Sequence, residues 1–267
     1  MDQAKKIFFL IVSLGLFIIS TTVAQITSFK DKKPTCDRYV LNTYIYLTIA
    51  LSLLISLVMI FNMLMPGYIM YLGGFFLILM IIQLLLSFFF IYLIHTIPST
   101  DVIKKRFVWG LFILNFSLVL LPFIQAVILT GNEDIILSSI FITFAIVAAL
   151  TLLIYISPDL IIKNTQSWTP YVLIALFGLI LAYLIPMIFC AFGKCNLVTL
   201  NKWYYYLAVI GIIIFIFIIL YKTKKVVENS EKCKTPEDAD YIKESTGLFI
   251  SIINLFMDIV SARRRRF

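Results

Sequence analysis

Charge is scarce in this 267-residue chain: Asp, Glu, Lys and Arg together make up 13% of it, about half of what a soluble domain carries. With 62% hydrophobic residues and a mean hydropathy of +1.04, a water-soluble globule is excluded. Histidine occurs once, as His95, and cysteine four times without zinc-type spacing, so no metal site or other cofactor is expected. His95, just before Thr96, Ile97 and Pro98, reads as an interfacial residue. Glycine is also sparse, ten residues against 24 Phe and 14 Tyr, so any cleft must come from the arrangement of helices. Phosphate-cradling glycine loops, nucleophile and base pairs and acid clusters are lacking, which leaves no enzyme reading.

What is present is a series of long apolar runs. Crossing about 30 Å of hydrocarbon takes around 20 residues, and seven runs qualify: 7–25, 42–64, 68–96, 107–130, 134–156, 170–192 and 202–221. A further helix is expected over about 241–260. Irregular backbone cannot face lipid, so the chain is an all-α polytopic bundle. Turns are expected at Met65, Pro66 and Gly67 and at Gly131, Asn132 and Glu133. The longest polar piece, 222–240, ends in Asp238 and Asp240, acids that suit a helix N-terminus.

The net charge of +8 lies in short loops and termini. That distribution points to the bilayer and its anionic headgroups as partners and not to nucleic acid. If the first seven runs all span, loops 26–41, 97–106, 157–169 and 222–240 share one side and hold thirteen Lys or Arg. The positive-inside rule makes that side cytosolic. Lys5 and Lys6 argue the other way and raise a cleaved signal over 1–24; an uncleaved extra helix is the expectation. Arg263 to Arg266 fall on the non-cytosolic side if the last helix spans and on the cytosolic side if it turns back. Cys36 and Cys233 are expected on the cytosolic face as reduced thiols, and Cys190 with Cys195 is the pair able to form a disulfide on the other.

The last helix carries one thin polar line. Stepping by four and three from Asp240 gives Glu244, Gly247, Ser251, Asn254, Asp258 and Ser261 on one stripe, with mostly Leu, Ile, Phe, Met and Val on the remaining faces. Polar groups at membrane depth favour the bundle interior, so the stripe is expected to point inward, the alternative being a surface amphipathic helix.

Asp240, Tyr241, Ile242, then Leu248, Phe249 and Ile252 to Phe256 resemble the closing signature of the Bax inhibitor family of multipass membrane proteins. Upstream and without a gap, Tyr221, Thr223, Val226, Val227 and Glu228 resemble that family's Phe-Asp-Thr-Gln-Leu-Ile-Ile-Glu segment. Arg38, Asn42, Thr43, Tyr44, Leu47 and Leu53 to Ser56 are similar to its first-helix pattern, and Pro122 with Gln125 to a Gly-Pro-x-x-Glu turn.

The resemblance covers roughly 36–260 and implies seven helices, the last threaded through the middle, with the helix at 7–25 as an addition. The expected division is 1–35 for that extra helix and basic loop, 36–262 for the bundle and 263–267 for a basic tail. It implies residence in an endoplasmic-reticulum-like or other internal membrane, with calcium leak and suppression of cell death as the family's associated roles.

The family's proposed gate is a pair of aspartates, one in each of the last two helices, and their positions are Lys222 and Ser251 here. Gln125 replaces the acid of the third-helix turn. The acidic pH and calcium gate is therefore not expected. Lys222 either reaches Glu244 or Asp258 as an intramembrane ion pair or snorkels to the headgroups beside Lys224 and Lys225. Two functions stay open: a cell-death-modulating or ion-leak-related protein, and a structural scaffold of an organelle or a virion's internal membrane, with membrane-protein or capsid and assembly partners. A small-molecule transporter is disfavoured, because Pro122 and Pro186 do not form a convincing pair of helix breaks.

Overall fold

The computed structural model describes residues 3–30, 33–68, 76–156, 170–172, 174–183, 185 and 197–264. Eight helices run through them: α1 Gln3–Thr27, α2 Tyr39–Leu64, α3 Phe76–Thr96, α4 Val102–Leu129, α5 Glu133–Ile156, α6 Pro170–Tyr183, α7 Leu197–Lys232 and α8 Tyr241–Arg264. Seven are long and apolar enough to cross a membrane; α6 is shorter. The chain is an all-α polytopic membrane protein, relieved among the described residues by one two-stranded hairpin, β1 Phe29–Lys30 and β2 Lys33–Pro34.

Several hydroxyls inside these apolar helices are satisfied by carbonyls of their own helix, as hydrocarbon favours. Thr21 and Thr43 donate to the carbonyls of Phe17 and Tyr39 one turn back, and Ser87 donates to that of Gln83. Turns occur where glycine is needed for left-handed backbone, with φ of 74° at Gly67 and 73° at Gly131.

One boundary differs from the sequence reading. The helix expected to end at 221 continues to Lys232, so the first half of the polar piece 222–240 is helical. Lys and Glu are good helix formers, and no breaker intervenes before Pro236.

The chain divides into two compact units, Met1–Gly131 with Val226–Phe249 and Asn132–Lys225 with Ile250–Phe267. In the first, α1 docks on α2 through two polar clasps: Ser56 Oγ donates to Ser13 Oγ at 2.8 Å, and Thr27 Oγ1 donates to Asn42 Oδ1 at 2.8 Å. Asn42 Nδ2 returns bonds to the carbonyls of Thr27 and Asp37. Between α3 and α4, the buried Asn115 amide donates to the Gln83 carbonyl and to Ser87 Oγ. Interhelical polar contacts of this kind substitute for the hydrophobic driving force that lipid removes. The third turn of α8 supplies Leu248 and Phe249, both fully buried, and Phe249 packs edge-on against Phe112 and Phe116. In the second unit Tyr183 and Tyr204 stack at 5.7 Å, and Arg263 Nη1 donates to Ser138 Oγ at 2.6 Å.

Large side chains of α1 and α3, among them Phe8, Ile18, Leu85 and Phe88, are exposed. Apolar surface of this extent suits acyl chains.

Candidate functional site

The most polar of the membrane-length helices is also the most enclosed. No residue from Tyr241 to Arg264 is exposed. Along its stripe Ser251 and Asp258 are buried, whereas Glu244, Gly247, Asn254 and Ser261 are half-buried. The most completely enclosed side chains are of both kinds: Leu248, Phe249, Leu255 and Val260 beside Ser245, Thr246 and, on the stripe, Ser251. Ser245 and Thr246 are accommodated there because both hydroxyls donate to the Ile242 carbonyl.

Asp240 starts α8 with both carboxylate oxygens engaged. Oδ1 accepts the Lys243 N–H at 3.2 Å, an N-cap bond, and Oδ2 accepts Lys105 Nζ at 2.6 Å. Lys105 is 1% exposed and also donates to the Ile97 carbonyl at 2.7 Å. Asp240 is therefore both helix cap and one half of a buried ion pair. The sequence reading counted Lys105 as a loop charge, and only its place at the head of an apolar run hinted otherwise.

Around this pair a second cation is sheathed in aromatics. Arg106 donates to the Tyr46 hydroxyl and lies over the ring of Phe29 at 4.7 Å. Tyr46 stacks on Tyr241 and meets Trp109 edge-on. A small cavity opens among Phe29, Tyr46, Ser99, Lys105 and Asp240.

The segment leading into α8 is tied down at three points. Ser99 Oγ donates to the carbonyls of Pro236 and Glu237. Asp238 Oδ2 accepts the backbone N–H groups of Thr235 and Lys234 and the Thr235 hydroxyl. Those bonds, led by the Thr235 N–H, hold the Asp238 carboxyl below the usual carboxylate range. Asp238 thus closes a turn, whereas the sequence reading gave it to the helix N-terminus together with Asp240.

The third tie is covalent. Cys36 and Cys233 form a disulfide across 197 residues of sequence, with Cα atoms 5.6 Å apart. This corrects the expectation of two reduced thiols there. Sequence reasoning placed both on one face but assigned their redox state by compartment, without knowing that their Cα atoms come within bonding range. Cys190 and Cys195, the pair suggested from sequence, lie outside the described residues.

Other expected site residues are placed as follows. Glu244 Oε1 accepts Asn229 Nδ2 at 2.7 Å. Lys222 is half-buried on α7. Gln125, 3% exposed, donates to the Met65 carbonyl at 2.8 Å and to Asn62 Oδ1 at 3.2 Å, tying α4 to the turn after α2. His95 pairs through Nδ1 with the Ile91 carbonyl in the last turn of α3.

Asp258 has an environment unlike that of any other acid described here. Tyr183 donates to its Oδ1 at 3.1 Å, while the buried Oδ2 has no hydrogen-bond partner. It faces Gly211 so closely that a methyl group there would overlap the carboxylate. Gly211 is the lone glycine of α7, and a single glycine in a run of bulky residues is the sequence signal for such an approach. Among the described residues no group of three His, Cys, Asp or Glu is arranged to hold a metal.

A family model described as Bax1-I, inhibitor of apoptosis-promoting Bax1, matches residues 36–264. That span starts at the disulfide's first cysteine and ends with α8, taking in every membrane-length helix except α1. The chain belongs to the Bax inhibitor family. No curated protein matches the chain. As a Bax inhibitor family member, it presents α1 as an added helix outside the matched span, docked to the first helix within it through Ser13 and Asn42.

Proposed function

We propose that this Bax inhibitor family protein resides in an internal membrane and modulates cell death or ion leak without an acidic pH and calcium gate. The observation that carries the reading is the set of residues at the positions that resemble the family's gate: Lys222, Ser251 and Gln125, none of them an acid. A calcium ion dwelling between two carboxylates would meet an ammonium here, and like charges at about 4 Å repel by several kcal/mol at moderate screening. The role is non-enzymatic.

The test is flux from vesicles reconstituted with the full chain, at neutral and acidic pH, beside Lys222→Asp combined with Ser251→Asp. Calcium flux that gains pH dependence only in the double variant supports the reading. A wild-type flux that already switches with pH overturns it.

The triple tether of the α8 entrance favours a second reading, in which the fold serves as a scaffold in an organelle or virion membrane. Covalent, ionic and hydrogen-bonded ties at one point suit a static element better than a moving gate. Co-purification with a defined assembly, together with no flux at either pH, would favour this alternative.

A further inference from the structure

We propose that Cys36 and Cys233 form a thiol–disulfide exchange site, a redox-operated clasp between the α1–α2 linker and the α8 entrance that reacts with low-molecular-weight thiols. The inference does not depend on whether the protein conducts ions.

The bond joins two polar segments rich in positive charge. Segments 26–41 and 222–240 hold nine of the 22 Lys and Arg, and the thirteen on their shared side make it the cytosolic one by the positive-inside rule. A cytosolic thiol pool is reducing, and disulfides that form against it in ordinary cells are transient, catalytic or sensing. A reducing compartment does not maintain this bond, which persists only where a small-molecule disulfide re-forms it by exchange.

The local chemistry suits exchange. Both cysteines are half-buried, open enough for a small thiol to reach. Lys232 and Lys234 flank Cys233, and Lys33 and Arg38 lie within three residues of Cys36. Positive charge stabilises the thiolate that leaves or attacks. In the reducing direction a thiolate attacks one Sγ and the Cys36–Cys233 bond breaks. Its electron pair goes to the other sulfur, which takes a proton. A second thiol then resolves the mixed disulfide, leaving two protein thiols and one small-molecule disulfide. Oxidation is the reverse, with that small disulfide as the oxidant.

Opening the clasp leaves the seat of α8 in place. Asp240 stays bonded to Lys105, and the carbonyls of Pro236 and Glu237 stay bonded to Ser99. What is released is the stretch from Cys233 to Thr235 and its link to the β1–β2 hairpin side. The clasp tunes the mobility of the α8 entrance without unfolding the unit.

The experiment uses the full chain in its native membrane, in a Cys190→Ser, Cys195→Ser background so that only this pair is counted. Cells are trapped with N-ethylmaleimide at rest, after diamide and after dithiothreitol; the protein is then denatured, reduced and mass-tagged. Interconversion between two tags and none as the conditions change is expected. A pair locked in either state throughout overturns the proposal. So does labelling of the reduced pair by an impermeant maleimide from the non-cytosolic side of sealed membranes. Hydrogen exchange adds a readout independent of any variant: reduction of the wild type should speed exchange at 233–235 while leaving 248–256 unchanged. Identical exchange in the two states would also overturn the clasp.

Discussion

Lys105 and Asp240, 135 residues apart in sequence, meet at 2.6 Å with the lysine almost wholly removed from solvent. The pair fixes the start of α8 to the start of α4. Removing one member of a buried pair leaves the other uncompensated, at a cost of about 3 kcal/mol. Asp240→Asn strands the lysine on one carbonyl and is expected to lower the thermal midpoint in detergent sharply. Lys105→Met should cost less, because Asp240 is the more exposed partner and keeps its cap bond to Lys243. A double variant, Lys105→Met with Asp240→Leu, should recover part of the loss, and thermal melts of the three read this directly.

Gly211 and Asp258 are expected to be coupled. A methyl at position 211 would displace the Asp258 carboxylate, and overpacking of this kind costs about 1–3 kcal/mol. Gly211→Ala should therefore destabilise the wild type and do little in an Asp258→Ala background. Equal effects in the two backgrounds, measured as a double-mutant cycle, would show that the close approach has no energetic consequence.

The turn after Cys233 carries a pH dependence of known sign. Asp238's carboxyl is held below its ordinary range in the folded turn, chiefly by the Thr235 N–H. The turn's stabilisation is therefore complete above the unfolded value of about 3.9 and is lost as pH falls through the lower folded value. With the disulfide intact, amide exchange at Lys234 and Thr235 should rise in that acidic window, after correction for intrinsic rates. Asp238→Ala should show the fast rate at every pH.

The disulfide also sets a parity. Its two cysteines lie on one side of the membrane, and four membrane-length helices separate Cys36 from Ile156 while α7 separates Leu197 from Cys233. With each of these helices crossing once, Ile156 is expected on the cysteine side and Leu197 opposite. Single cysteines placed at 156 and 197 in a background lacking Cys190 and Cys195 should label from opposite faces of sealed vesicles. Labelling from one face would contradict the pairing.

Much of this protein is legible in its sequence because hydrocarbon leaves a chain few choices. Apolar runs of membrane length must be helices, since backbone amides have no other partner there. Asp240 at the head of α8, the glycine turns at 67 and 131 and the C-terminal resemblance all depend on neighbours in sequence, where spacing alone carries the information. Which side chains meet across the fold was decided elsewhere. Lys105 reads as a loop charge in the sequence and pairs with Asp240; Cys36 and Cys233 read as two reduced thiols and are joined. Gly211 and Asp258 gave no sign of each other. Such pairings depend on helix rotation and on which helices become neighbours, quantities set by packing many side chains at once. A chain this uniformly apolar offers many rotations of similar hydropathy, so local pattern supplies the helices and only tertiary packing selects the partners.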